Sequence, residues 1–221
     1  MNSHDFLIKY APRFVEGTIT TFEQFFLATG VAVVLAMTAG VMLLTPSRII
    51  RGTAIAYVEL FRGTSLLVQL YWIFFAMPIV GPSLDKFTAG FIAVGLNLGA
   101  YGANLVKGAI LAVPRGQWEA SIAINMSLPR RMVRIIFPQA LAIMLPAWGN
   151  LLIELLKATA LVALISVTDL MFEVRQINNE TFKSAEAFGT ALIIYFVIAR
   201  LLITPIMRRF EKLMAVKMGR G

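Results

Sequence analysis

Four ionisable residues sit inside stretches that are otherwise apolar: Glu59, Arg62, Glu154 and Lys157. At the centre of a bilayer each costs several kcal/mol if unpaired, so each needs a partner or a wet cavity. The two sets share one spacing. In each the acid precedes the base by three residues, which places both on one helical face and lets them pair within the helix. Two readings stay open. One is a solute pathway or gate. The other is a self-satisfied pair, glue between helices, or long side chains reaching an interface. Around these charges lie Thr64, which Gly63 lets backbone approach, and Ser65, Gln69, Asn97, Tyr101 and Thr159. Their hydroxyls and amides could bind a small zwitterion, and they could equally hydrogen-bond neighbouring helices. Bond-making chemistry has little to work with. There is no cysteine, and the single histidine, His4, lies in the N-terminal segment. Metal clusters of His and Cys and Ser-His-Asp arrangements are therefore excluded.

The elements that must position these groups are membrane spans. The 221 residues are 58% hydrophobic, and the apolar runs exceed what one soluble core of this size would bury. A polar external tail is expected over 1–17. Five spans follow: from about Thr21 to Leu44, Gly52 to Val80, Phe87 to Leu111, Val133 to about Leu156, and Phe188 to Ile206. The fourth apolar run continues to Val167, too long for one straight span, so a broken or interfacial piece is expected after Leu156. Residues 169–186 read as a polar external loop with room for a short helix. The net charge of +8 is distributed as membrane topology requires, which argues against a nucleic-acid partner. Thirteen of the twenty Lys and Arg fall after the first span, over 107–134 and toward the C-terminus, and five on the opposite side. The positive-inside rule then puts the N-terminus outside and the C-terminal tail, 211–221, in the cytosol. No internal repeat is visible, unlike many secondary transporters.

The cytosolic loop 112–133 has its own organisation. Pro114 and Gly116 precede, and Pro129 ends, about twelve residues able to form a helix. Ala120, Ile122, Ala123 and Met126 give it a compact, mostly small apolar surface, ringed by Arg115, Arg130, Arg131 and Arg134. Small side chains allow close approach to another protein's groove. An interfacial helix on lipid is the alternative.

This loop resembles the EAA loop of ABC-importer permeases. Glu119, Ala120 and Ser121 stand for E-A-A, Asn125 for the glycine, and Ile135, Phe137 and Pro138 for I-x-L-P, with the spacing kept. Asn at the glycine position still permits a turn with positive φ. The resemblance extends over about 17–210. ELFRGTSLLVQ from Glu59 is similar to a block of the polar amino acid permeases. So are Gly99-Ala-Tyr101 with Asn104 and Lys107, and the run from Pro138 to Leu161. Ala158 departs from the family's usual aspartate, which puts cationic substrates in doubt. The wording of several blocks is most like the ectoine and hydroxyectoine uptake permeases.

What the resemblance implies is an all-α integral membrane protein, a five-helix type I ABC importer permease with a cytoplasmic coupling helix. Residues 18–210 form its transmembrane domain. It would pair with itself or a sister permease in the inner membrane. Two ATPase subunits binding ATP and Mg, and a periplasmic or lipid-anchored substrate-binding protein, would complete the importer. The loop residues Gln117, Glu119, Ala120, Ser121, Ala123, Asn125 and Met126 would dock the ATPase. The pathway would be lined by Arg62, Gly63, Thr64, Ser65, Gln69, Asn97, Tyr101, Glu154 and Thr159. The chain has no phosphate-cradling GxxxxGK[ST] loop, so it would hydrolyse nothing and hold no cofactor itself. The alternative is a permease for another polar or basic amino acid, such as arginine, histidine, glutamine or glutamate, and the remoter rival classes are a channel, a secondary transporter and a membrane-embedded enzyme.

Overall fold

The computed structural model describes residues 3–217. The last four residues of the expected cytosolic tail, Arg220 among them, and the first two of the expected external tail lie outside the described residues. In chain order the helices are α1 (Ser3–Met42), α2 (Arg48–Gly63), α3 (Leu66–Val80), α4 (Lys86–Leu111), α5 (Arg115–Ala123), α6 (Leu128–Ile165), α7 (Leu170–Thr181) and α8 (Ser184–Val216).

Four of these, α1, α4, α6 and α8, are long and apolar enough to cross a membrane. The single helix expected over Gly52–Val80 is instead two, α2 and α3, bent by 106° at Thr64 and Ser65, the geometry of a broken span or of a re-entrant loop. The expected tail over 1–17 also differs, since α1 is one helix from Ser3. The reason is burial. Phe6, Tyr10 and Phe14 recur at four-residue spacing and pack against Leu170, Val174 and Ile177 of α7 and Ala187 and Ala191 of α8. Arg13 fastens the same contact, its Nε 2.7 Å from Glu173 and its Nη1 2.8 Å from Glu180. The segment expected as an external loop is mostly this helix α7.

The centre of the bundle is α1 against α4. Ala28, Ala32, Ala36 and Gly40 form one face of α1, and Gly95, Gly99 and Gly102 face them from α4. A methyl group added at Gly95 would lie 2.6 Å from Val31 Cβ, and one at Gly40 the same distance from Val106 Cβ. Such small-residue faces bring helix axes close. In lipid this matters, because packing rather than water exclusion holds helices together.

Three helices widen into a π-helical turn, and in each case a proline follows two residues later. The turns span Trp72–Ala76, Met132–Ile136 and Ile198–Ile203, and the prolines are Pro78, Pro138 and Pro205. Proline has no N–H for the carbonyl four residues back and its ring crowds that carbonyl. The helix responds by shifting register. The N–H of Met77, Phe137 and Thr204, one residue before each proline, bonds the carbonyl five residues back instead. At the other end of α6, the expected break after Leu156 falls at Ala160, where the α-helix tightens to a 3₁₀ turn that ends on Ser166 at φ 63°.

Candidate solute cleft and docking helix

A cleft of about 400 Å³ opens between α2, α4 and α6, lined by Arg62, Tyr101, Asn104, Leu105, Ala147, Asn150, Leu151 and Glu154. Each helix contributes one face. Tyr101, Asn104 and Leu105 are three and four residues apart on α4, as are Ala147, Asn150, Leu151 and Glu154 on α6. Arg62 comes from the last turn of α2. Its guanidinium lies over the Tyr101 ring, 5.2 Å from the centroid, a cation–π contact that holds the charge in place. Glu154 Oε1 accepts from Lys157 Nζ at 3.0 Å. The cleft thus presents one held cation, one held anion and two carboxamides.

Of the nine residues expected along the pathway, three meet here: Arg62, Tyr101 and Glu154. Three others form a separate network that shapes the α2–α3 bend. Gln69 Nε2 donates to Phe61 O at 2.9 Å and to Thr64 Oγ1 at 2.6 Å, and Thr64 Oγ1 donates to Leu60 O at 2.7 Å. Asn97 Nδ2, on α4, donates to Phe61 O at 2.8 Å and to Gln69 Oε1 at 3.0 Å. These bonds satisfy carbonyls at the end of α2 that a broken helix leaves without partners. Gly63 and Ser65 sit exposed at the bend. Thr159 is buried at the far end of α6, where its hydroxyl donates to Leu156 O at 2.7 Å. None of these six lines the cleft.

Two further expectations change. Glu59 and Arg62 form no ion pair, because Arg62 turns to Tyr101. Ala158 packs against the bundle core and does not line the cleft, so the missing carboxylate there leaves the cleft's charge unaltered. Asn104 and Asn150 stand in the family-like blocks of the sequence but are not among the residues expected along the pathway. Their signal was present in the spacing: Asn104 follows Tyr101 by three, and Asn150 precedes Glu154 by four.

The loop carries helix α5, nine residues rather than twelve. It ends in a Schellman turn: Asn125, at φ 57°, donates to Ile122 O at 2.8 Å, and Met126 N donates to Ser121 O at 3.0 Å. Asn125 thus has the left-handed conformation that a glycine would take most easily. Gln117, Glu119, Ala120 and Ala123 are exposed, together with Ile122 and Ile124. Ser121 faces inward and is fully buried, donating to Trp118 O at 2.6 Å. Trp118 packs onto the bundle core. Two bonds fix the loop. Arg131 Nη2 donates to Met126 O at 3.1 Å, and Gln139 Nε2 donates to Gln117 Oε1 at 3.2 Å.

Residues 32–216 match the model of the family described as binding-protein-dependent transport system inner membrane component. The chain belongs to this family. A relative from Sinorhizobium fredii, named as a probable amino-acid ABC transporter permease, is 44% identical over 78% of this chain and 74% of its own. One from Rickettsia felis, named as a glutamine transport system permease, is 34% identical over 96% of this chain and 99% of its own. A solved structure of an amino acid ABC transporter with histidines superposes with a TM-score of 0.86 at 34% identity, covering 93% of this chain and 96% of that one. The fold is that of a type I ABC importer permease, and the chain is a transport subunit of the inner membrane.

Proposed function

We propose that this permease passes a small zwitterionic amino acid, or a compact amino-acid-like solute such as ectoine, through the cleft between α2, α4 and α6. The observation that carries the reading is the presence in one cleft of a cation, Arg62 over the Tyr101 ring, and an anion, Glu154 beside Lys157. Arg62 would take the solute carboxylate, with the fork geometry that guanidinium and carboxylate share. Glu154 would take the ammonium. Asn104 and Asn150 can donate and accept around the remaining polar atoms. The volume suits a solute of this size. The relatives point the same way at a coarser level: amino acids for the Sinorhizobium protein, glutamine for the Rickettsia protein, and histidines for the solved transporter. The ectoine reading rests on sequence wording alone and is one arm of the test.

The importer needs parts this chain lacks. ATPase subunits would bind ATP and Mg and receive α5 through Gln117, Glu119, Ala120, Ala123, Asn125 and Met126. Ser121 would serve from inside, holding the helix on the bundle. A second permease subunit and a substrate-binding protein would complete the assembly, with the N-terminus outside. Closure of the ATPases would move α5 and, through Trp118 and Gln139, α6. The bundle would then alternate access to the cleft.

The test is ATP hydrolysis by the reconstituted importer with its binding protein, across ectoine, hydroxyectoine, glutamine, glutamate, histidine and arginine. Stimulation by zwitterions, lost by about tenfold or more in Glu154→Gln, is the expected result. Unchanged stimulation in both Glu154→Gln and Arg62→Gln would remove the cleft from the pathway.

A further inference from the structure

Arg62 and Glu154 carry opposite charges in one cleft, yet they do not pair with each other. Each is held by a local partner, Arg62 by the Tyr101 ring and Glu154 by Lys157. The first contact leaves the guanidinium charge intact. The second offsets the carboxylate charge, because Lys157 brings a full positive charge to within 3.0 Å of it. Lys157 lies one turn farther along α6, outside the cleft lining. Its ammonium bonds Oε1 of a carboxylate that still lines the cleft. The side chains of Glu154 and Lys157 are 64% and 59% exposed, so neither is locked in place by packing. A pair this exposed contributes little to stability, and its effect on the bundle's fold is small.

We propose that Lys157 is a specificity-determining residue, an internal cation that competes with the solute for Glu154 and sets the net charge the cleft accepts. This rests on the cleft being the solute site. The charge count gives the direction. Arg62, Glu154 and Lys157 together carry one net positive charge. A zwitterion places its carboxylate at Arg62 and shares Glu154 with Lys157, at no net electrostatic cost. Arginine or lysine brings a second cation, which meets both Arg62 and Lys157 with a single carboxylate to balance them. The cleft therefore favours zwitterions over cationic amino acids without any change at position 158.

Binding is measured directly on the purified permease–ATPase complex without binding protein, so that the delivery protein does not filter the solutes. The probes are radiolabelled glutamine and arginine, applied to wild type, Lys157→Met, Lys157→Arg and Glu154→Gln. Removing the charge in Lys157→Met raises the arginine-to-glutamine binding ratio by about fivefold, the size expected for one solvent-screened charge a few ångströms away. Lys157→Arg keeps the wild-type ratio, and Glu154→Gln weakens both solutes. If Lys157→Met leaves the ratio unchanged while Glu154→Gln weakens binding, the role given to Lys157 is overturned and the cleft stands. If Glu154→Gln also binds both solutes normally, the cleft reading falls and this proposal falls with it. A lower ratio in Lys157→Met would overturn the proposal as well, by showing that Lys157 attracts the cationic solute's carboxylate more than it repels the side chain.

Discussion

Single residues decide how α7 is locked onto the bundle. Asp169 caps α7, its Oδ1 accepting from Phe172 N at 2.9 Å, yet the residue is fully buried and Oδ2 has no hydrogen-bond partner among the described residues. Burial penalises the carboxylate and pushes its pKa up to about 7. An unfolded aspartate titrates near ~3.9. Between those values the folded state holds more protons than the unfolded state, so stability falls as pH rises from about 4 to about 7 and stays low above that. The apparent melting temperature of the purified permease should therefore drop by a few degrees across this window. Asp169→Asn keeps a capping oxygen and carries no charge, so its melting temperature should be flat across the same window and higher than wild type above it. Equal slopes for the two proteins would show that Asp169 is not the titrating group.

At the scale of elements, what could be read in advance follows from how each residue's environment is specified. The apolar length of α1, α4, α6 and α8 marks them as spans, because a bilayer sets length directly. The break in α2–α3 was hidden. Thr64, Gln69 and Asn97 have the types of a binding site, and only their geometry shows that they satisfy Phe61, Leu60 and each other. The cleft was half legible for a similar reason. Arg62, Tyr101 and Glu154 stand out by type, whereas Asn104 and Asn150 gain meaning only once α4 and α6 face each other. Helix α5 was legible because its turn has a local cause. Asn125 sits at φ 57°, a conformation that costs a β-branched residue roughly 1–2 kcal/mol. Asn125→Gly should support ATP-driven uptake at the wild-type level. Asn125→Val should fray α5 and reduce both co-purification of the ATPase and uptake several-fold, at unchanged membrane abundance. Full activity in the valine variant would mean that the Schellman turn does not position the docking surface.

The whole molecule has a direction, and the charges supply it. Thirteen of the twenty Lys and Arg fall after the first span, over 107–134 and toward the C-terminus, and five on the other side of the spans, an asymmetry from which the positive-inside rule predicts a cytosolic basic side. The fold ties both functional regions to that choice. α5 lies among the basic residues, between Arg115 and Arg130. α7, fastened by Arg13 to Glu173 and Glu180, lies at the opposite end of the α6 span. The sequence contains no cysteine, so an introduced thiol can be labelled without background. Ser184 and Ser127 are both exposed, one at the start of α8 and the other just after α5. In spheroplasts a membrane-impermeant maleimide should label Ser184→Cys at once, and Ser127→Cys only after permeabilisation. The reverse pattern would place α5 outside, beyond reach of any cytosolic ATPase, and would overturn the docking role of that helix together with the orientation. Labelling of Ser127→Cys that is blocked by bound ATPase, in permeabilised membranes, would tie the direction of the bundle to the surface that receives the driving subunit.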